Sequence, residues 1–211
     1  MAWAVTVLIV AGVHDLDAQN RLGGEVALGP VSTQVSSQDP EFSGQLSGVT
    51  LSGRVGLTYW KLLLDARYLE GTVKSGDTER EEDVVEGELM LGMVPLSWLA
   101  VKIGPHVRSL VTAQGTQRWW FWEGRVRAQA NLGTPLLRSY LEAWHVFSAN
   151  VDLAEGYDSG NGIEGGLRAS LSQLPFWAEL AYRIDNSRLG GGETTQTVEE
   201  LILAIGVAFG K

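Results

Sequence analysis

The stretch GELMLGMVPLSWLAVKIG, residues 87–104, decides the class of this chain. It admits three readings: a membrane helix, a buried helix, or two strands joined by a tight turn. Pro95 stands in its middle, lacks an N–H and clashes with the preceding helical turn, so no regular helix runs through it. Extended to DVVEGELMLGMVPLSWLAVKIGPHVRSLV, the segment resolves with period two. Val85, Gly87, Leu89, Leu91 and Met93 share one face, and Val84, Glu86, Glu88, Met90 and Gly92 share the other. Beyond VPLSW, Leu99, Val101, Ile103 and Val107 oppose Lys102, His106 and Arg108. Such alternation marks a hairpin with one apolar and one charged side. Pro105 falls inside the second strand, where a ladder donor is lost, and a bulge is expected there.

The same pattern runs through the chain. Val49, Leu51, Val55, Leu57 and Tyr59 oppose Thr50, Ser52, Arg54 and Thr58. Leu62, Leu64, Ala66 and Tyr68 oppose Asp65 and Arg67. Trp120, Trp122, Val126, Ala128 and Ala130 alternate with Trp119, Phe121, Glu123, Arg125, Arg127 and Gln129. Leu137, Leu141, Ala143 and Phe147 oppose Arg138, Tyr140, Glu142 and Trp144. Ile163, Leu167 and Ala169 oppose Glu164 and Arg168, and Phe176, Ala178, Leu180 and Tyr182 oppose Glu179, Arg183 and Asp185. A first strand around Leu22–Val35 and a last around Thr197–Phe209 bring the total to about ten. Connections near 59–61, 94–98, 133–135 and 173–175 are very short. Those near 36–41, 74–83, 112–117, 151–162 and 186–195 are longer and polar.

The chain has 211 residues, 26 glycines, no cysteine and a net charge of −9. The acidic balance excludes a phosphate-binding surface for nucleic acid, which needs clustered Lys and Arg. Without cysteine there are no disulfides or thiolate metal sites, and His14, His106 and His145 are too scattered for a metal centre. No motif asks for a cofactor. Asp152, Glu155 and Asp158 offer oxygen ligands, but without the regular spacing of a calcium loop. The apolar run Ala2–Val13 is too short to span a bilayer as a helix and suits a signal peptide over residues 1–18, ahead of a single domain over 19–211.

Alternating strands build either a soluble barrel with an apolar core or a membrane barrel turned inside out. The polar faces here collect Arg54, Asp65, Arg67, Glu86, Glu88, Lys102, His106, Arg108, Glu123, Arg125, Arg127, Arg138, Glu142, Glu164, Arg168, Glu179, Arg183, Asp185 and Glu200. The two signs nearly cancel and Arg far outnumbers Lys, as suits enclosed, bidentate pairs rather than a solvated surface. Aromatics gather near strand ends: Tyr59, Trp60, Trp98, Phe176 and Trp177 by the short turns, and Trp119, Trp120, Trp122 and Phe147 toward the longer loops. Two such bands are the interfacial girdles of a membrane barrel. The expected fold is all-β: a closed antiparallel up-and-down transmembrane barrel with short periplasmic turns and longer extracellular loops.

The C-terminal LILAIGVAFGK, with Leu201, Leu203, Ile205, Val207 and Phe209 on one face, resembles the terminal strand of bacterial outer-membrane β-barrel proteins, although Gly210 and Lys211 follow the aromatic. The resemblance implies an outer-membrane location, outer-membrane lipid around the wall, the barrel-assembly machinery as a biogenesis partner, and other envelope proteins as candidates for the loops. It implies no activity. In strand number the chain is also similar to the omptin surface proteases, but no HxD or DxD stands at a loop edge. The lipid A deacylases carry a His-x-Ser pair on their lipid face; here Ser148 lies three residues beyond His145, and strict alternation turns it inward. The expectation is a non-enzymatic barrel with a charge-filled lumen and a structural or surface-interaction role. A narrow channel for small solutes, a membrane-embedded hydrolase and a lipocalin-like binder are the rivals.

Overall fold

The computed structural model describes residues 22–37, 44–75, 81–112, 115–152, 156–190 and 194–210. The N-terminal apolar segment read as a signal peptide lies outside them, as does Glu155 of the acidic loop. Ten strands follow in order: β1 (Leu22–Ser37), β2 (Gly44–Tyr59), β3 (Leu62–Ser75), β4 (Glu81–Leu96), β5 (Leu99–Thr112), β6 (Gly115–Asn131), β7 (Leu137–Val151), β8 (Tyr157–Ser170), β9 (Phe176–Leu189) and β10 (Thr194–Phe209). Each pairs antiparallel with its chain neighbour, and β1 pairs with β10, so the sheet closes on itself. Closure removes the unpaired edges that an open sheet would present.

The period-two faces separate as the side chains dictate. Leu89, Leu91, Val101, Ile103, Leu203 and Ile205 are exposed on the outer wall, while Glu86, Glu88, Lys102, His106 and Arg108 are buried inside. An apolar exterior around a charged interior is the inverse of a soluble β protein and the arrangement a bilayer requires. The strands run 14 to 17 residues, beyond the ~9–11 needed to cross at a tilt. At one end they meet in tight turns, including Trp60–Lys61, where Trp60 takes φ 54°. β6 begins at Gly115 and β8 at Tyr157, because a ladder needs backbone partners rather than apolar side chains.

No bulge forms at Pro105. It lies opposite Trp122 in an unshifted β5–β6 register. Toward β4 the pairs lapse between Glu88↔His106 and Leu91↔Ile103 and resume in the same register. Gly104 permits this: a Cβ there would sit 2.0 Å from the Leu89 carbonyl oxygen. The device recurs at Gly29–Pro30 in β1, where a Cβ on Gly29 would lie 1.8 Å from the Leu203 oxygen of β10. In both places the missing donor is answered by a close backbone approach that only glycine allows.

The real irregularities lie elsewhere. On β7, Val146 pairs with Glu123 and Ser148 with Trp122, so Phe147 is an inserted residue. This bulge shifts the alternation, and Ser148 is exposed on the outer wall with His145, contrary to the inward placement that strict alternation gives. A second shift falls between Tyr157 and Ser159 on β8. Among the described residues the β7–β8 ladder stops at Val146↔Gly160.

Candidate functional site

Among the described residues the lumen gathers the charged side chains, and they lie in tiers along the barrel. Nearest the tight turns, Arg54 of β2 grips Asp65 of β3 with two bonds, Nε to Oδ1 at 3.0 Å and Nη2 to Oδ2 at 2.9 Å. Lys102 of β5 reaches across to the same Asp65 at 3.2 Å and to Glu142 of β7 at 2.7 Å. Arg168 of β8 bonds Glu25 of β1 at 2.6 Å and Glu179 of β9 at 2.8 Å, and its guanidinium stacks 3.8 Å over Trp177. The Tyr140 hydroxyl lies between Glu164 (2.7 Å) and Glu179 (3.1 Å), with Arg127 stacked 3.5 Å over its ring.

In the middle tier Arg125 contacts Glu88 at 3.0 Å and Glu123 at 2.6 Å, and Arg67 contacts Glu200 at 2.6 Å. Arg183 of β9 bonds Glu88 of β4 across the lumen. Arg125 and Arg183 both lie against Trp144, 4.9 and 4.7 Å from its ring centroid. Above this, His106 is fully enclosed. Its Nδ1 is 2.7 Å from Glu123, and its Nε2 is 3.5 Å from Glu86, which also accepts from Arg108. Arg108 completes the tier with a 3.1 Å bond to Asp185. Buried charge is tolerated when it is paired in this way, because removing one partner leaves an uncompensated ion in low dielectric.

Toward the far end the filling turns apolar. Val31, Val35, Leu46, Leu69, Val73, Val84 and Leu110 pack from one side, and Trp119, Phe121, Val146 and Leu189 from the other. Room for the large rings comes from glycines facing them across the ladder. Tyr140 lies over Gly166, Trp144 over Gly162 and Trp177 over Gly206, so closely that a Cβ at each glycine would meet a ring atom at 2.1–2.5 Å. A cavity of about 50 Å³ lies in the turn-side half, bordered by Arg54, Asp65, Arg67, Lys102, Arg125 and Glu142 among others. A cavity of that size has room for a few waters.

Arg138 does not join the network. It is exposed at the tight-turn rim, the second residue of β7, and bonds Asn131 at 3.4 Å. Trp119 and Trp177 are likewise removed from the aromatic girdles, since both are buried inside. Tyr59, Trp98, Trp120, Trp122, Phe147, Phe176 and Phe209 do stand exposed on the outer wall. Glu25, absent from the sequence-derived network, belongs to it through Arg168; its neighbours Gly23 and Gly24 give no apolar alternation by which to place it.

Among the described residues, two groupings bring metal-ligating atoms within 4.8 Å, namely Glu86, Glu88 and His106, and His106, Glu123 and Asp185. Arg108, Arg125 and Arg183 occupy the same carboxylates, so a cation would compete with three guanidinium groups for its donors. On the outer wall, no hydrogen bond joins His145 to Ser148. The ladder partners of His145 are Gly124 and Asn161, neither of which offers a carboxylate to orient the imidazole. His106, held among carboxylates with no open space beside it, is not placed to activate a water at a rim.

No family model and no curated protein matches the sequence. Solved structures do match in fold. The outer-membrane protease OmpT from Escherichia coli aligns with a TM-score of 0.53 at 11% identity, over 92% of this chain and 98% of that one. The translocator domain of the autotransporter NalP from Neisseria meningitidis gives 0.50 at 11% identity, over 89% and 88%. Neisserial surface protein A gives 0.40 at 12% identity, over 88% and 97%. At such identities the likeness concerns architecture alone: the chain has the fold of the bacterial outer-membrane β-barrels.

Proposed function

We propose that this chain is an integral protein of a bacterial outer membrane, non-conducting and non-enzymatic, acting as a rigid wall element that presents its far rim for surface interaction. The observation that carries this reading is the filled lumen inside an apolar wall. Side chains occupy the interior from the Glu25–Arg168 pair to the Trp119 cluster, leaving a cavity of about 50 Å³. Small barrels are filled in this way, whereas open aqueous channels need ~16–18 strands. The test has two parts. The envelope fraction of expressing cells should contain the protein in the outer membrane, with an unboiled band that migrates faster than the boiled one. The purified barrel in a planar bilayer should then show no steady conductance. Residence in the soluble periplasm overturns the membrane reading, and regular ion-conducting steps replace the structural role with that of a narrow channel.

A further inference from the structure

The two strands of the β7–β8 hairpin part company before they reach their connection. Their shared ladder ends at Val146↔Gly160. Past that point β7 stays paired with β6 as far as Trp119↔Val151, and β8 with β9 as far as Tyr157↔Leu189. Both ends of the connection are tied outward as well, the Asp152 N–H to the Arg118 carbonyl at 2.9 Å and the Gly190 N–H to the Gly156 carbonyl at 3.4 Å. The wall therefore divides between residues 147–151 and 157–159, at the inserted residue of β7 and the register shift of β8.

The division begins at the upper edge of the apolar wall, beside Asn161 and His145 and next to Trp120, Trp122 and Phe147 on the outside. Unpaired backbone is excluded from hydrocarbon but tolerated among headgroups. Outward-facing Arg118 on β6 and Arg188 on β9 flank the division, with Asp152 and Asp158 exposed at the two ends of the connection, whereas Glu70, Glu81 and Asp83 with Lys74 mark the outer face of β3 and β4. Inside lies the cluster of Trp119, Phe121, Val146, Leu189 and Tyr157, with Phe121 5.9 Å from Trp119 and 5.6 Å from Tyr157. Two of its polar atoms, Trp119 Nε1 and the Tyr157 hydroxyl, are buried without a hydrogen-bond partner, and Trp119 is 1% exposed. A buried donor without an acceptor costs about 1–3 kcal/mol; the indole N–H groups of Trp144 and Trp177 stand unpartnered as well, but the Trp119 and Tyr157 atoms are the ones in the cluster behind the division.

We propose that the β7–β8 division is a lateral port that admits an acyl chain of a phosphorylated outer-leaflet lipid onto this aromatic cluster. The parts match one molecule from top to bottom. Arg118 and Arg188 face the phosphate at headgroup level, where arginine is the favoured partner of that group. The acyl carbonyl, an acceptor, meets the unpartnered indole N–H and phenol O–H. The chain lies against Trp119, Phe121 and Leu189, on the path that Tyr157 closes in this structure by folding its hydroxyl over Gly160.

The experiment places p-benzoylphenylalanine at Tyr157 and irradiates the folded barrel in vesicles of phosphatidylglycerol and phosphatidylcholine. The same probe at Trp177, inside the turn-side half, is the control. The absence of cysteine in the chain allows a Phe147→Cys, Ser159→Cys pair to clamp the port by a disulfide. Each variant is first shown to be folded by its gel shift. We expect phosphatidylglycerol adducts by mass spectrometry at position 157 and none at 177. Adduct yield should fall at least fivefold on oxidising the clamp and at least threefold in the Arg118→Ala, Arg188→Ala variant. Absence of a lipid adduct at 157 in a folded barrel overturns the site. Adducts that survive the clamp overturn the path between the strands, and adducts indifferent to headgroup and to the arginines reduce the contact to ordinary boundary lipid.

Discussion

Arg183 shows how individual side chains hold the interior together. It meets Glu88, Asp185 and Glu200 from one strand, with almost no exposure on either side of these pairs. Arg183→Leu removes a cation shared by three buried acids, which keep Arg125, Arg67 and Arg108 between them, and the expected loss is about 3–5 kcal/mol, read as a lower urea midpoint for the detergent-folded barrel. Lys74→Ala removes a contact to Glu81 of similar length, 3.0 Å, but with both partners more than half exposed, and its effect should stay below about 1 kcal/mol. An equal effect of the two substitutions would contradict the account of the lumen. Glycines make a parallel contrast. Gly104→Ala drives a Cβ into the Leu89 carbonyl, while a Cβ at Gly124 meets nothing within 4 Å. Unfolding on heating, followed by the gel shift, should therefore move to lower temperature for Gly104→Ala, by a destabilisation of about 1–3 kcal/mol, and be unchanged for Gly124→Ala.

Strands were legible in the sequence to the degree that the pleat alone decides a side chain's direction. Alternation assigned Leu89 outward and Glu88 inward correctly, and it assigned Trp119 and Trp177 inward too. Placing those two rings in the girdles gave weight to their nearness to strand ends, but the pleat overrides proximity. Alternation fails where it is interrupted, and the residue inserted at Phe147 turned Ser148 outward without any signal in the surrounding letters. Nor does it foretell partners. That Lys102 would meet Asp65 and Glu142 rather than its ladder partner Gly92 depends on the stagger of the closed barrel. The hairpin itself carries a prediction that does not depend on any ligand. Amides of residues 147–151 and 157–159 that face the division lack a strand partner, so they should exchange with deuterium orders of magnitude faster than amides near Leu141↔Gly165. Uniform protection along β7 by NMR would close the gap that the pairing describes.

For the barrel entire, tiers of ion pairs topped by an apolar plug make a solid rod rather than a tube. Single-channel recording should give a silent bilayer for the wild-type chain. Trp119→Ala alone should leave it silent, because the charged tiers below remain closed. A conducting single variant would place the only barrier in the plug.

The pairs that cross the seam between first and last strands bear on how such a rod is made. Glu25 of β1 finds its cation on β8, and Glu200 of β10 finds its own on β3. While the sheet is still a curved ribbon Glu25 lacks this cation and Glu200 keeps only the 3.9 Å approach of Arg183 on neighbouring β9, since the 2.6 Å contact of each needs the wall to come full circle. A half-built ribbon therefore carries naked carboxylates and guanidinium groups on its inner face and is held back from the greasy phase by them. The seam pairs are thus the charges that closure itself neutralises: until the last strand meets the first, these two carboxylates lack their 2.6 Å partners.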